Sequence, residues 1–468
     1  MQAEGLAASS FRDPSGFVFW HQGCMYRQVN RSYREHFDLL IHSGLYQELS
    51  AAGFMIRHEE AAAELVRTAD GYKVIRPTLV PFISYPFEWS FSQLKDAALL
   101  TLEIQKIALA HGMVLKDASA YNIQFSEGRP LLIDTLSFAK YTEGRPWVAY
   151  RQFCQHFLAP LALMARRDVR LSQLSRIFLD GIPLDLASRL LPAGTRGKFS
   201  LLAHIHLHAR SQKRYQDGRP VGSQRKLNRF SFLALIDSLK SAVAGLRWQP
   251  RGSVWADYYE HTNYSPLAME CKRKWLDDFL QALQPRQVWD IGANTGFFSR
   301  LASARQIPTV SLDIDPAAVE KNYLQCRQEG NRFLLPLLGD ITNPSPAIGW
   351  GNAERMSLLE RGPTDTVLAM ALVHHLAIGN NLPLARIAAL FSTLCRTLIM
   401  EFIPKDDSQV RRLLASREDI FPDYHEQGFA AEFSRFFSIE RVEKIEQSGR
   451  RLYLLKNKST PGAETRPH

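Results

Sequence analysis

Cysteine is scarce in this chain of 468 residues: Cys24, Cys154, Cys271, Cys326 and Cys395 are the only five. None stands in a C-x-x-C pair, so neither a disulfide framework nor a zinc-ligand set is indicated. Long hydrophobic runs are missing too. The longest, around Phe157 to Ala165, is far short of the roughly 20 apolar residues that span a bilayer. The opening Met-Gln-Ala-Glu-Gly lacks a basic stretch followed by an apolar core. No membrane span, no export signal and a reducing, cytoplasmic setting are therefore expected. Acidic charge is not in surplus either, the net charge being +10. Counted along the chain, residues 285–468 carry 22 Lys and Arg against 21 Asp and Glu, whereas 205–251 carry 10 against 2. The basicity thus belongs to a connecting stretch and not to either flank. With 46% hydrophobic and 22% charged residues, the composition is that of a folded protein too long for one ordinary core, and two domains are expected.

What is present is clearest between Val288 and Ala302, Val-Trp-Asp-Ile-Gly-Ala-Asn-Thr-Gly-Phe-Phe-Ser-Arg-Leu-Ala. It reads as a buried strand ending at Asp290, a turn with Gly292 and Gly296, and a helix from Phe297 to about Arg305. Such a turn brings backbone N–H groups and a helix N-terminus up to a ligand lying close to the main chain. The next strand, Thr309-Val-Ser-Leu-Asp313-Ile-Asp315, gives way to a helix opened by Pro316. Asp313 follows Asp290 by 23 residues, where a ribose-binding unit needs a carboxylate to accept two hydroxyl hydrogen bonds.

Further strands are expected over 333–341, closing on Asp340, and over 366–373, a continuous apolar run suited to a central parallel strand, ending in His374 and His375. Another spans 397–403, carries Glu401 and stops at Pro404, and the runs 436–442 and 451–455 make a closing antiparallel pair. A helix from Pro266 to Leu283 leads into the first strand, and the aromatic residues between Asp257 and Ser265 are placed to fold over a ligand or to pack. A histidine at the end of the central strand can take a proton from an attacking hydroxyl or amine.

A dinucleotide turn would read G-x-G-x-x-G; this one reads D-x-G-x-N-x-G and resembles the first motif of class I S-adenosylmethionine-dependent methyltransferases. Asn294 replaces the middle glycine, a tolerable change because asparagine enters left-handed conformations readily. The resemblance covers about 255–458. It implies a Rossmann-like seven-stranded methyltransferase sheet, with S-adenosyl-L-methionine as cofactor at Asp290, Gly292, Asn294, Gly296, Asp313 and Asp340. Asp290 would face the donor's amino-acid end and Asp340 its adenine. His374 and His375 become the catalytic candidates, Glu401 and Tyr424 weaker ones for the substrate, and no metal is called for.

The N-terminal part reads as α+β. A hairpin is expected over 16–29, a helix over 32–51, an edge strand from Tyr72 interrupted by prolines, and a helix over 92–112. Leu115-Lys-Asp-Ala-Ser-Ala-Tyr-Asn122, followed by a hairpin reaching Asp134, resembles the catalytic loop of the protein-kinase and aminoglycoside-kinase superfamily. That resemblance would make Asp117 a base and Asn122 and Asp134 metal-holding groups. Leu115 replaces the family's histidine, Thr135-Leu136 replaces Phe-Gly, and no glycine-rich loop is evident, so a degenerate kinase-like accessory domain is the reading. His204, His206 and His208 are taken as helical histidines and not as a metal set.

The expected organisation is thus an α+β domain over 1–205, a basic linker with one helix over 206–254, a methyltransferase domain over 255–458 and a disordered tail over 459–468. The layout is similar to that of the NoeA group of host-specificity nodulation proteins, which implies modification of a secreted glycan or lipid-linked signal. Transfer of a methyl group to an oxygen or nitrogen on a small molecule or glycan is the leading function. The alternatives are an RNA or protein methyltransferase recruited through the basic linker, and a regulatory protein whose kinase-like region binds ATP.

Overall fold

The computed structural model describes residues 5–209, 228–250, 265–415 and 417–459. The chain forms two compact units that meet in sequence at Gln249 and Pro250. The aromatic residues from Asp257 to Tyr264, placed to fold over a ligand or to pack, and the tail from 460 lie outside the described residues, as do seven of the ten Lys and Arg of the 205–251 stretch.

The first unit opens with an antiparallel sheet of five strands, β1 (Gly5–Leu6), β2 (Gly16–His21), β3 (Cys24–Asn30), β4 (His58–Glu60) and β5 (Gly71–Pro77), in the order β1-β2-β3-β5-β4. The β2–β3 hairpin turns at Gln22 and Gly23, both at positive φ, as a two-residue connection between twisted strands requires. β5 is an interior strand and not the expected edge. Its proline falls at the last paired position, opposite His58, where no ladder bond is lost. The single helix expected over 32–51 is two, Arg34–His42 and Leu45–Ala51, broken at Gly44 with φ 82°.

Helix α1 (Phe91–Ala110) starts in a capping box in which Ser90 and Gln93 satisfy each other's backbone N–H groups. Four short strands follow in two pairs: β6 (Met113–Leu115) pairs β9 (Phe138–Lys140), and β7 (Ile123–Ser126) pairs β8 (Arg129–Leu132). Helix α2 (Arg229–Ala244), expected inside a linker, is an integral part of this unit. It buries Phe232 against Tyr141 and Trp147, and Lys95 of α1 donates to the carbonyls of Ala244 and Leu246.

The second unit is a mixed α/β layer structure. Helix α3 (Pro266–Leu283) leads to β10 (Val288–Ile291), and the short helix α4 (Ser299–Ser303) to β11 (Thr309–Asp313). Helix α5 (Pro316–Glu329), β12 (Leu334–Leu338), β13 (Thr364–Ala369), α6 (Leu384–Leu394), β14 (Cys395–Phe402), β15 (Phe437–Lys444) and β16 (Arg451–Asn457) follow. The order across the seven-stranded sheet is β12-β11-β10-β13-β14-β16-β15, parallel from β12 to β14 and antiparallel for the last two. β13 is central, and its residues Val367, Leu368 and Ala369 are fully buried, since a parallel sheet is covered on both faces. The chain leaves β10 toward β11 on one side and reaches β13 on the other, so the crevice between the C-terminal ends of β10 and β13 is the switch point at which such sheets take ligands.

Candidate functional site

The turn after β10 is built by its own backbone. Gly292 and Gly296 both stand at φ 77° and Asn294 at φ 52°, the left-handed region that glycine and asparagine enter at least cost. The turn is laced to the end of β11: the N–H groups of Gly292 and Ala293 donate to the Leu312 carbonyl at 2.8 and 3.0 Å. The N–H of Asn294 donates to Asp313 Oδ2 at 2.7 Å, and that of Gly296 to the Ala293 carbonyl at 2.9 Å. These N–H groups are therefore spent within the protein and not presented to a ligand, contrary to what the turn's sequence leads one to expect. A Cβ on Gly296 would fall 2.5 Å from the Asn322 amide, so protein packing by itself calls for glycine at this position. The helix beyond it is only Ser299–Ser303, shorter than the expected 297–305.

Two carboxylates come to this end of the sheet. Asp290 is buried; Ser299 Oγ donates to its Oδ2 at 2.6 Å, while its Oδ1 has no hydrogen-bond partner. Burial pushes its pKa up to about 7, against the pull of the Ser299 hydroxyl and the Lys272 ammonium. Asp313 accepts from Asn294 through Oδ2 and from the Asp315 N–H through Oδ1, at 2.7 and 2.8 Å, and burial raises it to about 6. Each of its oxygens keeps a further lone pair. Asp340 does not close a strand: β12 stops at Leu338, and Asp340 sits half-buried in a turn in which Thr342 donates to Oδ1 through N–H and hydroxyl.

The histidines are displaced from their expected place. β13 ends at Ala369, because Ala371 adopts φ 50° and the backbone turns there. His374 and His375 instead open a helical segment running to Gly379, with rings 4.0 Å apart. His374 is 1% exposed and its Nδ1 has no partner; burial, His375, Arg450 and Lys272 all hold it neutral. His375 is half-buried, and burial lowers it to about 4. Both rings are therefore uncharged at neutral pH, each with one ring nitrogen free of a proton, and His375 is the more accessible.

Glu401 and Tyr424 do not border an open cavity. Tyr424 is 2% exposed, packs on Phe402 and donates its hydroxyl to the Ile403 carbonyl at 2.8 Å. Glu401 is fully buried: Oε2 receives Lys272 Nζ at 2.5 Å and the Ala371 N–H at 2.9 Å, and Oε1 faces Arg450 at 3.6 Å. Arg450, itself 1% exposed, pairs with Asp407 at 2.7 Å. Sequence reasoning missed Lys272 and Arg450. A signal existed for the first: Ala268, Lys272, Leu276 and Leu280 recur every fourth residue, which puts a lysine on the buried face of α3. Arg450 beside Gly449 and Arg451 looks like any turn arginine, and carried no such signal.

In the first unit, Asp117, Asn122 and Asp134 are brought together. Asn122 Nδ2 and Asp134 both bond Ser137 Oγ, and Asp117 reaches Asn122 and Gln152. Burial raises Asp117. For Asp134 burial pushes the same way, but Arg27 of β3, paired with it at 2.6 Å, together with Ser137 and the Leu136 N–H holds it below its ordinary value. The alternating histidines lie on a helical segment. His204 bonds Tyr150 and Ser238, and His206 bonds Ser188 and Thr195, hydroxyl partners that leave no shared coordination point. Among the described residues no group of three or more His, Cys, Asp or Glu could hold a metal ion, and no helix is long and apolar enough to cross a membrane.

No family model matches the chain. The nodulation protein NoeA of Rhizobium meliloti (strain 1021) is 37% identical over 459 residues, covering 96% of this chain and 95% of the relative. Among solved structures, the bifunctional kinase-methyltransferase WbdD aligns at 15% identity over 43% of this chain and 42% of that one, with a TM-score of 0.29. Magnesium protoporphyrin IX methyltransferase from Synechocystis PCC 6803, crystallised with bound SAH, aligns at 18% identity over 41% and 84%, with a TM-score of 0.30. Structural scores this low are no ground for assigning an activity.

Proposed function

The chain belongs to the family of the nodulation protein NoeA, and from that premise we propose that its second unit binds S-adenosylmethionine and transfers the methyl group to an oxygen or nitrogen of a small molecule or glycan. The observation that carries the reading is the pair of strand-end acids: parallel neighbours β10 and β11 deliver Asp290 and Asp313 to one edge, with a left-handed turn laced between them. A buried carboxyl oxygen without a partner is costly. A pKa raised from 3.8 to about 7 corresponds to something on the order of 4 kcal/mol for keeping Asp290 ionised. A cationic amino group on a ligand would offset that cost. Asp313 has lone pairs left for ribose hydroxyls, and the exposed Ile314 beside it offers an apolar face to a planar base.

S-adenosylmethionine, when bound, supplies a methyl group already activated on a sulfonium. The protein's part is then to align the acceptor with that methyl and to receive the acceptor's proton. His375, unprotonated and half-buried beyond the central strand, is the group assigned to take the proton at a ring nitrogen. His374, deeper and neutral, backs it through ring contact.

Donor affinity should depend on pH with a definite sign. Asp290 is a carboxylate only above about 7 and Asp313 only above about 6, and both are needed in that form. Calorimetric affinity for S-adenosylhomocysteine should therefore be constant above neutrality and fall about tenfold per pH unit below 7, more steeply below 6. An affinity flat from about pH 5.5 to 8.5 would contradict the assignment of these two groups. The acceptor class is tested by incubating the full chain with methyl-labelled donor and a cell extract. Label in small-molecule or glycan fractions supports the reading, and label in RNA or protein alone replaces it.

A further inference from the structure

We infer that the buried Lys272–Glu401 ion pair is a positioning device that holds the left-handed turn at Ala371, and through it keeps the donor turn and the two histidines in one arrangement. The inference rests on the methyl-transfer reading of the same crevice.

Ala371 stands at φ 50°, a conformation alanine takes unwillingly, so something must over-determine it. Its N–H donates to Glu401 Oε2 at 2.9 Å, and the same oxygen receives Lys272 Nζ at 2.5 Å. Lys272 comes from α3, ahead of the donor strand, and Glu401 from β14, on the far side of the central strand. One carboxylate thus ties three elements across the switch point. Two basic side chains, Lys272 and Arg450, both 1% exposed, face it; burial lowers the Lys272 ammonium from its ordinary pKa, and the Glu401 carboxylate beside it opposes that shift.

The turn so held has consequences on both sides. The next residue, Leu372, lies against Gly292: a Cβ there would meet Leu372 Cδ1 at 3.2 Å. The Leu372 carbonyl accepts from the N–H groups of His375 and Leu376 at 3.0 and 3.2 Å, starting the helical segment that carries both histidines. A pair that served only core stability would have no reason to end on the one backbone N–H that fixes this turn.

The test uses the full chain. In Lys272→Met/Glu401→Leu both charges go at nearly constant volume, and the variant is expected to stay folded by circular dichroism. Amides 371–376 should exchange about tenfold faster or more, and affinity for S-adenosylhomocysteine should fall about tenfold. Adding Ala371→Gly, which takes a positive φ without a Cβ penalty, should recover about threefold of the lost affinity. A folded double variant with exchange and affinity unchanged overturns the inference. If the double variant does not fold, the wild-type Ala371 amide decides: protection as a buried hydrogen bond supports the pin, and exchange at the rate of an exposed loop overturns it. A wild-type chain that binds no S-adenosylhomocysteine defeats the methyl-transfer reading instead, and the exchange comparison then judges the pin by itself.

Discussion

Asp313→Ala is expected to weaken S-adenosylhomocysteine binding by about a hundredfold or more. Hydrogen bonds to a charged acceptor contribute about 1.5–3 kcal/mol each, and two ribose hydroxyls would lose theirs together. The same substitution removes the acceptor of the Asn294 N–H at 2.7 Å, so the left-handed turn loses a tie at the position where its backbone is least favourable. Asp313→Asn separates the two roles. The amide oxygen can still hold Asn294, while the hydroxyl bonds lose their charge assistance, so a loss of about tenfold is expected. Calorimetry with thermal melting reads both: the alanine variant should lose the more affinity and the more stability, and the asparagine variant less of each, since one amide oxygen keeps the Asn294 N–H while its Nδ2 faces the Asp315 N–H where an acceptor stood. Wild-type affinity in Asp313→Ala would remove the donor assignment from this end of the sheet.

Most of the second unit was legible in the sequence because parallel strands announce themselves as short apolar runs between helical periods. The strands found at 288–291, 309–313, 334–338 and 395–402 lie where the runs lay, and Asp290 and Asp313 fall at one edge because strand ends are what a βαβ chain repeats. What failed had a common cause. The apolar run 366–373 gave no hint that it stops at Ala369, since the break is made by an alanine at positive φ whose support comes from Glu401, far away in sequence. The histidines consequently moved off the strand. Glu401 itself looked like a residue facing a substrate, because a sequence shows that a strand ends in an acid but not that Lys272 and Arg450 converge on it. In the first unit α2 was taken for part of a tether because a basic stretch precedes it. Only its packing on α1 and on Tyr141 and Trp147 reveals where it belongs.

The same charge network sets the largest stability effect to be expected in the second unit. Lys272→Met leaves Glu401 buried with the Ala371 N–H and the more distant Arg450 guanidinium, and Glu401→Leu leaves Lys272 and Arg450 facing a site without its carboxylate. Taking one partner from a buried ion pair costs about 3–5 kcal/mol, because the other charge keeps its desolvation penalty and loses its compensation. Lys272→Met should fall at the low end, since the Ala371 N–H still donates to Glu401 and the Arg450 charge still faces it, and Glu401→Leu at the high end. In a domain of this size each 1 kcal/mol lowers the melting temperature by about 2–4 °C, so drops of roughly 6–20 °C are expected. The double variant should lose less than either single one, since the Lys272 and Glu401 charges go together, Arg450 keeps Asp407, and a hydrophobic pair of similar volume can be nearly neutral. Denaturant titration of all four proteins gives the coupling directly. Single variants within about 0.5 kcal/mol of wild type, or a double variant whose loss equals the sum of the two, would show that the pair is not the mutually dependent unit its burial and geometry describe.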